Sequence, residues 1–195
     1  MRVLVACEFS GIVRDAFIAR GHDALSCDLL PTERDGPHYQ GDVMDIIGDG
    51  WDMMIAHPPC TYLSRAGARW WKIPERESKT LEALAFVFAL RDAPINKIAI
   101  ENPIGKLNKS WRYPDQTIQP YHFGERFSKA TCLWLKNFPP LMATYVVNDY
   151  VALLRSNTGY GKRNGKKSQP GVTRSAKEAS RTFPGIAAAM AEQWG

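Results

Sequence analysis

Several things are missing from this sequence of 195 residues, and each absence narrows what it can be. No apolar run approaches the roughly 18 residues needed to span a bilayer, so no membrane segment is expected. The chain opens directly into Met1-Arg2-Val3-Leu4-Val5. It has no charged leader ahead of an apolar stretch, and no secretory signal is read there. There are only four cysteines, Cys7, Cys27, Cys60 and Cys132. None forms a CxxC pair and no histidine stands at zinc-ligand spacing, so neither a metal site nor a disulfide scaffold is expected. Reduced thiols suit a cytoplasmic setting. The turn after the first apolar run is Glu8-Phe9-Ser10-Gly11, which lacks a full GxGxxG pattern and argues against a pyrophosphate cofactor. No internal repeat is visible.

What is present is the composition of an ordinary globular protein, with 45% hydrophobic and 23% charged residues. One α/β domain spanning 1–195 accounts for the length. A net charge of +5 is compatible with a polyanionic partner.

Residues 2–7, Ala24–Cys27, 51–56 and Lys97–Ile100 read as buried strands. Residues 11–20 read as a helix stopped by Gly21, and Glu75–Ala93 as a longer one with Leu81, Leu84, Ala85, Phe88 and Ala89 at helical spacing. This alternation predicts a doubly wound, mostly parallel sheet. Thr131–Leu135 and Thr144–Val147 are further candidate strands, and Ile186–Gln193 a closing helix. Residues 155–181 hold eight Lys or Arg against one acid, Glu178, with four glycines. They predict a mobile basic loop within a short, partly flexible insertion, 136–180.

Doubly wound sheets bind ligands beyond the carboxyl ends of their strands, and the candidate chemical groups all fall there. Pro58-Pro59-Cys60 follows the run Met53–Ala56, and the two prolines stiffen the turn that aims the thiol. A thiol there becomes a nucleophile where its surroundings favour thiolate, and Arg65 lies just downstream. His57 neighbours this turn, but strand alternation points it away, so it is not expected to be the base. Glu101 ends the Ile98–Ile100 strand, where burial is expected to raise its pKa and suit it to hold a proton near neutral pH. Asp28 ends the second strand, the place from which an acid commonly binds ribose hydroxyls. Asp42 lies in the following segment.

These residues resemble a known family. Pro59-Cys60-Thr61-Tyr62-Leu63-Ser64-Arg65-Ala66-Gly67 resembles the Pro-Cys-Gln-x-Phe-Ser-x-x-Gly loop of DNA cytosine-5 methyltransferases. Ile100-Glu101-Asn102-Pro103 is similar to that family's Glu-Asn-Val strand end, and Gly41-Asp42-Val43 to its Gly-Asp-Ile segment. Phe123-Gly124 with Lys129 and Thr131 resembles its Tyr-Gly-x-Pro-Gln-x-Arg-x-Arg stretch. Arg181–Ala187 resembles its C-terminal Pro-x-x-Val-Ala helix. The pieces occur in the family's order and cover most of 2–135 and 181–195.

The resemblance implies the Rossmann-like fold of S-adenosylmethionine-dependent methyltransferases and S-adenosylmethionine as cofactor. It implies that Cys60 attacks C6 of cytosine, that Glu101 contacts N3 and the exocyclic amine, and that C5 takes the methyl group. Lys129 joins them as a catalytic candidate. Cofactor contacts are expected from Glu8, Phe9, Ser10, Gly11, Asp28, Leu29, Asp42, Val43 and Pro58. Substrate contacts are expected from Pro59, Ser64, Arg65, Asn102 and Thr131, and nucleic-acid contacts from Lys162, Arg163, Lys166 and Lys167. Three departures stand out: Glu-Phe-Ser-Gly in place of a glycine-rich first turn, Thr61 in place of Gln, and Lys129 and Thr131 in place of paired arginines. Only about 45 residues are open to target recognition. The expected partner is therefore DNA, duplex or single-stranded, or a pyrimidine nucleotide. A silent nucleic-acid-binding protein is the alternative of another class. Amino methylation ranks last, because His57 and Cys60 stand where its Asp-Pro-Pro-Tyr loop has Asp and Tyr.

Overall fold

The computed structural model describes residues 1–70, 73–155 and 171–195. Its centre is a set of short apolar strands buried on both faces. In β1 (Arg2–Ala6) every residue after Arg2 is buried, and all four residues of β4 (Met53–Ala56) are. Two-sided burial is what a parallel sheet covered by helices requires. β1 and β4 pair with each other, with β2 (Asp23–Asp28) and β3 (His38–Gln40) beyond β1 and β5 (Lys97–Pro103) beyond β4. All five strands are parallel. β8 (Thr131–Lys136) runs antiparallel between β5 and β6 (Gln116–Ile118), giving the order β3-β2-β1-β4-β5-β8-β6.

Alternate residues of each strand feed two cores. Val3, Val5, Met53 and Ile55 pack with α1 (Ile12–Ile18) and α5 (Pro184–Trp194) on one face. Leu4, Met54, Ile98 and Ile100 pack with α2 (Pro74–Arg91) on the other. The helix α2 starts on a proline at its first position, where the missing N–H costs nothing. The chain leaves β1 toward β2 and β3, then returns to β4 on the opposite side. That reversal opens a crevice past Cys7 and His57, at the carboxyl ends of β1 and β4.

A second sheet stands beside the first. It comprises β7 (Phe127–Ser128), β9 (Val151–Arg155) and β10 (Gly171–Arg174), in the order β10-β9-β7 and all parallel. The helices α3 (Leu107–Ser110) and α4 (Ala176–Ser180) are single turns. Two expectations are corrected here. Thr144–Val147 is not a strand, since only an isolated bridge joins Tyr145 to Phe123. Within the expected basic loop, residues 171–180 are β10 and α4. Pairing with β9 orders the first, and a reciprocal cap between Ser175 and Glu178 starts the second. Lys162, Arg163, Lys166 and Lys167 lie outside the described residues.

Candidate active site

The turn after β1 is built around a buried carboxylate. Glu8 Oε1 accepts from the Val13 N–H at 2.8 Å and the Ser10 hydroxyl at 2.9 Å. Its Oε2 accepts from the Arg14 N–H at 3.3 Å. These are amide donors of the first turn of α1, which lack partners inside the helix. Gly11 takes φ 71°, and a Cβ there would strike the buried Arg14 guanidinium. The side chains of Glu8 and Ser10, expected to touch a cofactor, therefore turn under α1 and hold the turn in shape. Of the four residues, Phe9 lines the larger of the two cavities at the strand ends.

Two adjoining cavities open along the strand ends, sharing Cys7, Asp28 and Pro59. The smaller, about 200 Å³, is walled by Leu29, Val43 and Phe86 and has Asp28 and Asp42 at its rim. Asp28 Oδ1 accepts from the Leu30 N–H at 2.9 Å. Asp42 Oδ1 accepts from the Met44 N–H at 3.0 Å and caps the 3-10 turn Val43–Asp45. Thus Asp28, Leu29, Asp42 and Val43, all expected at the cofactor, do meet. Burial, with Asp28 adding to it, pushes the Cys7 thiol far up, and the same two causes push Cys27 up to about 12. Both thiols stay protonated near neutral pH.

The larger cavity, about 440 Å³, contains Cys60, Glu101, His57, Ser64, Arg65 and Lys129, with Pro58 and Pro59 in its wall. The Cys60 loop is stapled to the chain leaving β5. Asn102 Nδ2 donates to the Pro58 carbonyl at 2.9 Å, Arg65 N–H to the Ile104 carbonyl at 2.9 Å and Lys106 N–H to the Leu63 carbonyl at 2.7 Å. A Cβ on Gly105 would collide with the Leu63 carbonyl, so only glycine permits this approach. Asn102, expected to touch substrate, instead braces the loop that carries the thiol. Its Oδ1 and His57 Nε2 are buried and find no hydrogen-bond partner among the described residues.

Glu101 is flanked by side chains. His57 Nδ1 lies 3.8 Å from its Oε2, with the two side chains 9% and 20% exposed. Burial pushes the Glu101 pKa up, but the His57 ring, the Lys129 charge and the Thr131 hydroxyl together outweigh it. The carboxyl is held below its ordinary range. This corrects the expectation of a raised pKa: Glu101 is a carboxylate at neutral pH. Lys129 Nζ donates to the Ala179 carbonyl at 2.7 Å and acts on Glu101 by its charge. His57 was expected to point away. It stands just past the last β4 residue, but its N–H still bonds the Ala6 carbonyl, and the Ala56–Ile100 register carried on by one residue sets it opposite Glu101.

A clasp stands next to the larger cavity, and no sequence motif announced it. Arg181 donates from Nε and Nη2 to Glu33 at 2.7 and 2.9 Å. Lys177 lies 3.1 Å from the same carboxylate and 5.2 Å from the Phe9 ring centroid. The Arg181 hydrogen bond, then Lys177, pulls Glu33 down to about 2 against a smaller opposing effect of burial. Ala179 and Ser180 of α4, with Leu153 of β9, complete the wall.

Among the described residues no group of three or more His, Cys, Asp or Glu could hold a metal ion. No described helix is long and apolar enough to cross a membrane. No protein-family model matches the chain, and comparison with curated proteins likewise found no match.

Proposed function

We propose that the chain is an S-adenosylmethionine-dependent methyltransferase acting on C5 of cytosine, with Cys60 as nucleophile. The observation that carries this reading is that Cys60 and Glu101, from two different strand ends, line one cavity that adjoins a second, apolar one rimmed by Asp28. A thiol and a carboxylate facing one space suit addition to a pyrimidine ring, because charge generated on the ring needs a partner at N3.

The smaller cavity fits the cofactor. Leu29, Val43 and Phe86 offer apolar walls to a flat adenine, and Asp28, at the junction of the two cavities, suits ribose hydroxyls. When bound, S-adenosylmethionine supplies an electrophilic methyl group. Every other step falls to the chain's own residues and the ring.

The Cys60 thiolate forms a bond to C6, and the 5,6 π electrons shift through the ring toward N3. Glu101 accepts from the exocyclic amine, and N3 takes up a proton through it. C5 is then an enamine carbon that accepts the methyl group. Solvent water takes the C5 proton, which restores the 5,6 double bond as the Cys60 thiolate leaves, and N3 returns its proton. A base in a duplex must first leave the stack to reach the thiol. Ser64 and Arg65 line the cavity at the place such a base would arrive, while Thr131 supports Glu101.

The test is to incubate the protein with labelled S-adenosylmethionine and, separately, duplex DNA, single-stranded DNA and dCMP. Label on 5-methylcytosine in any of the three supports the reading, and identifies its substrate. Label on an exocyclic amine, or on none of them, overturns it.

A further inference from the structure

Glu101 is ionised in the free protein, yet cytosine N3 needs a proton as Cys60 adds. The proton has to come from a group facing Glu101. Those groups come from four places in the fold. Lys129, in the turn between β7 and β8, is committed to the Ala179 carbonyl. From β8, Thr131 offers only a hydroxyl hydrogen bond, and burial holds the Cys132 thiol protonated. Arg181 shares a small crevice with Glu101, but its guanidinium is engaged by Glu33. His57, at the end of β4, remains.

We propose that His57 is the positioning residue for this step: it holds the Glu101 carboxylate in place and passes it the proton that N3 takes up. The inference rests on the cytosine reading above. Its basis is geometric. The His57 backbone N–H donates to the Ala6 carbonyl at 2.9 Å, which continues the β1–β4 ladder and fixes the ring beside Glu101. Nδ1 faces Glu101 Oε2 at 3.8 Å, while the buried Nε2 has no partner among the described residues. Among the described residues the ring's one polar contact is therefore toward Glu101. Histidine is also the side chain that changes charge most readily near neutral pH.

The step balances. As the Cys60 sulfur bonds to C6, the His57 Nδ1 proton passes to the Glu101 carboxylate and from it to N3. His57 ends neutral, the ring carries the proton and Glu101 is again a carboxylate. The negative charge that the thiolate brings into the ring is neutralised by the imidazolium's proton, and Glu101 keeps its own charge. A separation of 3.8 Å is longer than a hydrogen bond, so substrate has to draw the pair together, as catalytic contacts commonly do.

His57→Asn separates the proton from the contact, because an Asn amide still donates from the Nδ1 position but releases no proton. In wild type, methyl transfer should follow a bell-shaped pH profile. In His57→Asn the falling limb should vanish and the rate near neutral pH drop by on the order of 10²–10³, with cofactor affinity and Tm retained. A rate and profile matching wild type would overturn the relay and leave the methyltransferase reading intact. Carbon-13 NMR of the Glu101 carboxyl reads the pair without any reaction. Its titration should move to higher pH in His57→Leu, and an unmoved titration overturns the proposal. Failure of the wild-type protein to methylate duplex DNA, single-stranded DNA or dCMP at any pH overturns the cytosine reading, and the relay with it.

Discussion

Two carboxylates stand where central apolar strands run out, Glu8 after β1 and Glu101 in β5, and they do opposite jobs. Glu8 is filled by donors that cannot change charge: two amides of α1 and the Ser10 hydroxyl. Glu101 is surrounded by side chains with protons or charges of their own, and it opens onto the cavity of Cys60. Low exposure is common to both. The partners decide which one is a brace and which one is chemistry. The same distinction separates the thiols. Cys7 and Cys27 are pushed up by burial beside Asp28, whereas Cys60 is presented by a proline-stiffened loop pinned by Asn102.

The largest expected effect falls on the reactive end. Cys60→Ala should abolish methyl transfer while leaving cofactor affinity, measured by calorimetry, unchanged. Glu101→Gln should slow transfer by on the order of 10²–10⁴, the usual share of acid–base help. The double variant should be little worse than Cys60→Ala, since residues acting as a unit are not additive. An additive double variant would separate the two.

Next comes the cofactor side. Losing a hydrogen bond to a charged group costs about 1.5–3 kcal/mol, so Asp28→Ala should weaken S-adenosylmethionine binding roughly 10- to 150-fold. Unchanged affinity in a calorimetric titration would remove Asp28 from that site.

Glu8→Gln sharpens the contrast directly. An amide donor would then face the N–H groups that the carboxylate now accepts. The cost should be about 1–3 kcal/mol of stability, each kcal/mol lowering Tm by roughly 2–4 °C in a chain of this length. Turnover per folded molecule should hold. A Glu8→Gln protein with native Tm and lost activity would reverse the roles given to the two acids.

The smallest effect concerns the clasp. Glu33 titrates near 2 in the folded chain and in the ordinary carboxylate range when unfolded. A lowered folded pKa means that its contribution is complete above that ordinary range. It is lost as pH falls from there toward about 2. Arg181→Ala should remove that acid-dependent component from a Tm-versus-pH curve. An identical curve in wild type and variant would show the clasp to be energetically silent.

Long or strongly periodic elements were legible from the sequence: β1, α1, β2, β4, α2, β5, β8 and α5. Those missed, such as β3, β6 and β7, hold two or three residues and become strands only through their partners. No local pattern in Phe127–Ser128 encodes pairing with Val151. The site divides the same way. Cys60, Glu101, Asp28 and Asp42 lie at strand ends or in short motifs, and the cavities do gather them. The Glu33–Arg181 pair spans 148 residues of sequence and was invisible. The Glu101 pKa was misjudged because burial is visible in an apolar strand, whereas His57, Lys129 and Thr131 converge on it only in the fold.

The most direct test of the central claim is covalent trapping. A substrate bearing 5-fluorocytosine, offered with S-adenosylmethionine, should stall after methyl transfer, because fluorine at C5 cannot leave as a proton. Peptide mass spectrometry should then place one adduct on Cys60, and none should form in Cys60→Ala. An adduct on Cys7, Cys27 or Cys132, or methyl transfer that persists in Cys60→Ala, would contradict the account.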